Sequence, residues 1–323
     1  MSSRPTERSP IPVIGSDYLR PWTTYFHLDA GTHRVDVASQ HGVPDFAQSI
    51  SNFLSENGGG CPKPWLLDGV MGEGVVTRLQ NAVRTRSQDT FTTSTRAFYM
   101  FESGSLQGVI SWTTHEPGPD YFDKSPVAEA VAGGYAIESD FSPKIFGAGV
   151  CTAPARGHGT RMFAAFWKYL EHRMTALRER DFNVMRESRM AFYRDMRDMN
   201  IDEFMSRSRR LDHVAQRLQN GGHLTYVLGA LNERGQKFYL SVGFKTTSES
   251  ERHTRFKMRA LKRQVRDERA AGRAPSNRLV VPDGLSAYSG LPRMRITLPE
   301  MREARAKLVA LGKVEMYPTI VTL

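Results

Sequence analysis

The 323-residue chain carries 40% apolar and 24% charged side chains, the balance of a soluble globular protein, and it is long enough for one large domain or two ordinary ones. Its net charge of +10, from 44 basic and 34 acidic residues, favours an anionic ligand, nucleic acid or an anionic surface. No uncharged run approaches the length of a membrane span, no named nucleic-acid motif occurs, and Cys61 and Cys151 show neither zinc spacing nor a disulfide pattern. These features lead us to expect a cytoplasmic protein in a reducing compartment, with no metal and no membrane partner.

The N-terminal MSSRPTERSPIP lacks the apolar stretch of a signal peptide, and residues 1–15 are expected to form a disordered tail. Phe46, Ile50, Phe53 and Leu54 recur at helical spacing before Asn57 and three glycines, predicting a helix over 44–57. Val75, Val76, Leu79 and Val83 make a weaker helical pattern. The segments 95–103 and 106–116 flank Gly104 and read as a β-hairpin.

An apolar run over 148–154 leads into Arg156-Gly157-His158-Gly159-Thr160-Arg161 and then a helical stripe of Met162, Phe163, Phe166, Trp167 and Leu170. A strand, a glycine turn and a helix in that order keep side chains away from the turn. They also aim free backbone N–H groups and the positive helix end at an anion. The turn lacks the Lys-Ser/Thr of a P-loop and is not Gly-x-Gly-x-x-Gly, so neither a nucleoside triphosphate nor a dinucleotide is the preferred ligand. Taken alone it could equally be an ordinary glycine turn.

Residues 171–221 read as helical and hold six of the fourteen methionines. They would serve either as gap-filling core or as an adaptable surface. The chain returns to a strand over 223–231, forms a short helix across Asn232 to Val242, and extends again after Gly243, an α/β layout. From Glu251 to Arg273, nine basic and three acidic residues suggest a solvated helix and loop. Thr297 with Glu300 forms a capping box for a last helix that Gly312 stops.

The run Asn232 to Lys245 resembles the closing motif of the GNAT acetyltransferases, on Asn232, Tyr239, Gly243 and Phe244. The upstream segment is similar to that family's pyrophosphate loop, Arg/Gln-x-x-Gly-x-Gly/Ala, on Arg156 and Gly159. Arg161 stands where the family has Gly or Ala. The resemblance covers about residues 95–258. It implies a GNAT fold: a central mixed, mostly antiparallel twisted sheet flanked by helices. The domain would run over 16–258, with residues at about 171–221 a helical insertion longer than the family needs, followed by a basic linker and helical extension over 259–323.

The resemblance further implies acetyl-coenzyme A as cosubstrate, held by Cys151, Thr152, Ala153, Arg156, Gly157, His158, Gly159, Thr160, Arg161, Asn232 and Lys237. The acetyl group would pass by direct attack to a primary amine of a small molecule or peptide. An alkyl amine with pKa near ~10.4 needs a proton acceptor, for which Glu138, Glu116 and His115 are candidates beside Asp140. A backbone N–H near Cys151 to Ala153 would hold the oxyanion. Tyr239 would protonate the leaving thiolate, or else is a packed aromatic. An acetyl-cysteine route through Cys151 is disfavoured by its apolar strand.

Two alternatives remain open: acylation of a protein lysine or a tRNA, and a catalytically inactive acyl-coenzyme A binding module. The insertion could cover the cleft, pair with a second subunit in a homodimer, or simply pack on its own domain.

Overall fold

In the computed structural model the described residues are 23–28, 31–34, 40–41, 43, 46–55, 90–93, 96–114, 122, 125–133, 141–153, 157–221, 224–230, 233–247, 263–264, 266–272 and 293–322. In chain order the strands and helices are β1 (Thr23–Leu28), β2 (Gly31–Arg34), α1 (Phe46–Ser55), β3 (Thr90–Thr93), β4 (Arg96–Glu102) and β5 (Ser105–Thr114). There follow α2 (Pro126–Ala132), β6 (Lys144–Thr152), α3 (His158–Asp195), α4 (Ile201–Asn220), β7 (Thr225–Gly229) and α5 (Glu233–Ser241). The chain ends with β8 (Lys245–Thr246), β9 (Arg293–Thr297), α6 (Leu298–Ala310) and β10 (Thr319–Thr322).

Ser103 and Gly104 both adopt positive φ, 49° and 80°. Two such residues in succession give the turn whose twist matches paired strands, so β4 folds directly back on β5 as the sequence predicts. From this hairpin grows one eight-stranded sheet, ordered β10-β1-β4-β5-β6-β7-β9-β8, with β2 and β3 forming a separate ribbon. Among the described residues of this sheet, only β1–β10 and β6–β7 pair in parallel; the other five pairs are antiparallel. The molecule is therefore an α/β protein with a mixed open sheet flanked by helices.

Each face of the sheet is sealed by aromatic residues that alternate along the strands. On one face α3 lays Phe166 against Phe98, Trp112 and Tyr226, with ring centroids 5.4, 4.7 and 5.9 Å apart. On the other, Phe46 of α1 meets Phe26, Tyr99 and Phe101 at 6.3, 5.3 and 5.3 Å. Both clusters are buried, and this burial of aromatic surface is the main force fixing the helices to the sheet.

The expected insertion is a helical hairpin. Helix α3 runs unbroken for 38 residues, about 57 Å at roughly 1.5 Å per residue. Asn200 then caps α4 by accepting from the Glu203 N–H at 2.9 Å. The two helices run antiparallel, joined by the Phe192–Phe204 ring contact (5.3 Å) near the tip and by Arg178 donating to the Leu218 carbonyl (3.3 Å) near the base.

That base lies beside the start of β6: an added Cβ on Gly221 would come within 3.0 Å of the Phe141 carbonyl, and Thr225 donates to the Pro143 carbonyl. The hairpin therefore leaves the sheet at the N-terminal ends of β6 and β7. Its outer surface exposes Phe182, Met190, Tyr193 and Ile201. Among the described residues no helix is long and apolar enough to cross a membrane.

The boundary expected at residue 258 is corrected by the sheet itself. β9 lies between β7 and β8, α6 packs on α3, and β10 completes the far edge beside β1, so the C-terminal segment belongs to the same sheet and core. The capping box forms as predicted, with Glu300 accepting from the Thr297 N–H and hydroxyl at 2.8 Å each. Gly312 ends the helix at φ 64°.

Arg161 ties the segment down. Its guanidinium donates to Glu102 (2.7 Å), to the Thr23 hydroxyl and to Glu315 (3.1 Å), joining α3, β1, β4 and the approach to β10. Arg161→Met would leave the largely buried Glu102 carboxylate without its main partner. We expect a loss of about 2–4 kcal/mol in unfolding free energy by urea titration, with Glu102→Gln in the same chain adding little further.

Glu300 gives a second test. Burial raises its pKa, but hydrogen bonds from Lys245 and Thr297 outweigh this and hold it below the ordinary 4.5. Its folded pKa being depressed, Glu300 contributes stability above the unfolded value that is lost as pH falls through the folded one. In thermal melts from neutral pH down through pH 4, Glu300→Gln should therefore flatten the acid-side decline in Tm.

Candidate functional site

β6 and β7 keep company for three residue pairs only. Lys144, Ile145 and Phe146 align with Thr225, Tyr226 and Val227; thereafter β6 stays with β5 as far as Thr152, and β7 stays with β9 as far as Gly229. Two neighbours that keep their outer partners while losing each other leave a wedge between them. It widens toward their C-terminal ends, and its walls are backbone without a cross-strand partner. The α3–α4 hairpin sits at the opposite, closed end, so it does not cover the opening.

The ladder fixes which groups face the wedge. Ala153 N–H donates to the Gln107 carbonyl at 2.7 Å, and Val109 and Ser111 stand opposite Cys151 and Gly149. Because hydrogen-bonded and non-bonded pairs alternate, Gly149, Cys151 and Ala153 face β5, while Val150 and Thr152 turn their N–H and C=O groups into the wedge. Of the expected oxyanion segment, only Thr152 therefore offers its N–H to the opening.

The register then slips: Ser111 faces Gly149 but Trp112 faces Gly147, so Ala148 is the extra residue of a bulge, left out of the β5 ladder beside the vertex of the wedge. Glycines flank it. A Cβ on Gly147 would lie 2.7 Å from the Tyr226 hydroxyl.

Tyr226 rises from β7 to fill that vertex. It is wholly buried, and its hydroxyl has no hydrogen-bond partner. Burial first, and then the neighbouring Tyr239, push its pKa well above the ordinary value for a phenol. Tyr239 itself stands on α5 against Phe163 and Phe244, at 6.0 and 5.5 Å between ring centroids, where burial raises its pKa to about 12. At neutral pH both phenols are protonated and can donate.

Helix α3 begins beyond the open end of the wedge. Gly157 is exposed, in the left-handed region at φ 71°, and no side chain caps the helix. Its first helical bond runs from the Arg161 N–H to the Gly157 carbonyl, which leaves the N–H groups of His158, Gly159 and Thr160 without intrahelical acceptors. Their partial positive charge lies where β6 delivers the chain.

Other side chains of the segment turn inward. Buried His158 places Nε2 3.5 Å from Glu102, the carboxylate that also holds Arg161. Arg161 was expected among the coenzyme-binding residues, but its guanidinium is engaged in the ion pairs already described, leaving its backbone at the turn.

Lys237 is exposed on α5, and Thr152, Gly159 and Thr160 are half-buried. Arg156, Asn232, His115, Glu116, Glu138 and Asp140 lie outside the described residues. Cys151 is buried and disulfide-bonded. This corrects the reading that Cys151 forms no disulfide and leaves no thiol there for an acetyl-cysteine route.

Among the described residues no group of His, Cys, Asp or Glu is arranged to hold a metal. No protein-family model matches the chain, and no curated protein matches it. The wedge must be read from its own chemistry. It offers unpaired strand backbone, an anion-attracting helix end and two protonated phenols.

Sequence reasoning placed a helix start after the glycine turn and Tyr239 on the short helix after β7, but did not point to the bulge or to Tyr226. Gly147-Ala148-Gly149 inside a strand was a readable signal of a bulge or close approach. For Tyr226 there was none, because its position depends on the pairing of two strands about 80 residues apart.

Gly159 proves to be constrained by packing, since a Cβ there would lie 2.8 Å from the Phe238 ring. Gly159→Ala should cost about 1–2 kcal/mol in urea unfolding, and Phe238→Leu in the same chain should recover much of it. Additive effects of the two changes would show that this contact is not the constraint.

Proposed function

We propose that the protein is a GNAT-type acetyltransferase that moves an acetyl group from acetyl-coenzyme A to a primary amine of a small molecule or peptide. The observation that carries this reading is the wedge between β6 and β7, with the uncapped start of α3 beyond its open end. An extended pantetheine arm, which has amide donors and acceptors of its own, suits the role of a strand inserted there. Its amides would meet the free backbone of Val150 and Thr152. Its pyrophosphate would meet the N–H groups of His158, Gly159 and Thr160, with Gly157 keeping the approach clear. The order of strands around the wedge and the motif at Tyr239, Gly243 and Phe244 support the same reading.

The chemistry follows from the groups present. A neutral amine attacks the thioester carbonyl, and the oxyanion is met by backbone N–H groups turned into the wedge. The displaced thiolate is met by Tyr239. With its pKa near 12, full transfer of its proton to a thiolate of ordinary pKa, ~8.5, runs uphill. The hydroxyl therefore acts chiefly by donating a hydrogen bond as the C–S bond lengthens. The amine's proton would pass to the His115, Glu116 and Glu138 set, which follows β5 and precedes β6.

The test is calorimetric titration with acetyl-coenzyme A, then thiol release across a panel of amines. Wild type should bind the coenzyme and release thiol with at least one amine. Tyr239→Phe should bind equally well and turn over about 10²-fold more slowly, since its bond matters only as the thiolate departs. A wild-type protein that binds no acetyl-coenzyme A would exclude the function.

A further inference from the structure

The buried hydroxyl of Tyr226 has no role in the fold. It is wholly buried and without a partner, in a region where buried polar groups are ordinarily satisfied. Its ring is amply fixed, with centroids 5.9 Å from Phe166 and 5.6 Å from Phe244, contacts that a phenylalanine would make equally well. Ser111, Trp112 and Trp167 also bury polar atoms without partners. Tyr226 differs from them in where its oxygen lies.

That oxygen sits against Gly147, one residue past the last β6–β7 pair and one residue before the bulge at Ala148. The phenol thus lies at the vertex of the wedge beside the bulge, whose extra residue has no partner in the β5 ladder. The start of α3 lies beyond the far end. From Gly147 to Thr152 the strand spans about 17 Å at roughly 3.3 Å per residue, a length comparable to an extended pantetheine arm. A coenzyme anchored by its pyrophosphate at α3 would therefore bring its thioester to the vertex.

We infer that Tyr226 is a catalytic residue whose hydroxyl donates a hydrogen bond to the carbonyl oxygen of the bound acyl thioester, as an oxyanion donor beside the bulge. This rests on the acetyltransferase reading above. As the amine nitrogen bonds to the carbonyl carbon, the C=O π pair moves onto oxygen, where the Tyr226 hydroxyl holds the charge. When the C=O bond re-forms, the C–S bond breaks and its electrons leave with sulfur. The departing thiolate is held by the Tyr239 hydrogen bond and takes its proton from solvent, the ammonium loses its proton to the base, and the products are an amide and free thiol. Tyr226 donates without ionising, because burial and the adjacent Tyr239 keep it protonated. The pair of tyrosines thus divides the work, one serving the carbonyl oxygen and the other the sulfur.

Tyr226→Phe in the full chain tests this. Removing one oxyanion donor should slow single-turnover thiol release by about 10²-fold while acetyl-coenzyme A affinity, by calorimetry, is unchanged. The unliganded variant should melt at the same temperature or higher, because an unsatisfied buried hydroxyl has been removed. A variant as fast as wild type in single turnover would overturn the assignment while leaving the acetyltransferase reading intact. A slow variant that also melts lower, or binds the coenzyme more weakly, would show a structural role and overturn it too. If wild type itself neither binds acetyl-coenzyme A nor releases thiol, both readings fail together.

Discussion

What the rest of the structure depends on is the competition for β6 and β7. Each has two edges. On its outer edge β6 is paired with β5 to Thr152, and β7 with β9 to Gly229, whereas the shared inner edge closes over three pairs only. Backbone groups seldom go unpaired in a folded protein, so a parting of strands in mid-sheet must be imposed by something stronger than the lost ladder bonds. At the vertex the Tyr226 side chain, held by Phe166 and Phe244, lies against Gly147, where any Cβ would come within 2.7 Å of its oxygen. The bulge at Ala148 adds a bend in β6 at the same level.

The same wedge organises its surroundings. The chain leaves β6 at the open end and turns straight into α3, whose first turn therefore lies beyond that opening, while the aromatic face of α3 covers the sheet behind it. Glu102 is the hinge of this arrangement. It gathers Arg161 and, at 3.5 Å, His158 from the first turn of the helix, and Arg161 in turn holds Glu315 on the way to β10. Side chains that sequence placed beside a ligand are thus turned toward the protein, and the backbone of the turn is left for whatever anion approaches.

Much of this was legible in advance where the signal was local. The α1 stripe, the Gly104 hairpin, the strand-turn-helix around Gly157, the helical hairpin, and the Thr297 box with its Gly312 stop all depend on residues within a turn or two of one another. Their stereochemistry acts before any tertiary contact forms. Errors arose where partners are distant. The C-terminal segment read as an appendage because nothing within 293–322 announces that β9 will enter the sheet beside β7, or that β10 will seal β1. The sequence left open whether the Arg161 side chain faces a ligand or turns from it, because the partners that claim it, Glu102 and Glu315, are 59 and 154 residues away.

By itself, then, the sequence determined the α/β character of this protein, its local elements and the glycine turn at which α3 begins, since backbone conformation and hydrophobic period are set by near neighbours. Only the tertiary structure decided that β6 and β7 part after Val227, that Gly147 makes room for Tyr226, and that the α3–α4 hairpin leaves from the closed end of the wedge. Those outcomes turn on which edges compete for which partners across the whole sheet, a choice made by packing and strand order that no stretch of neighbouring residues encodes.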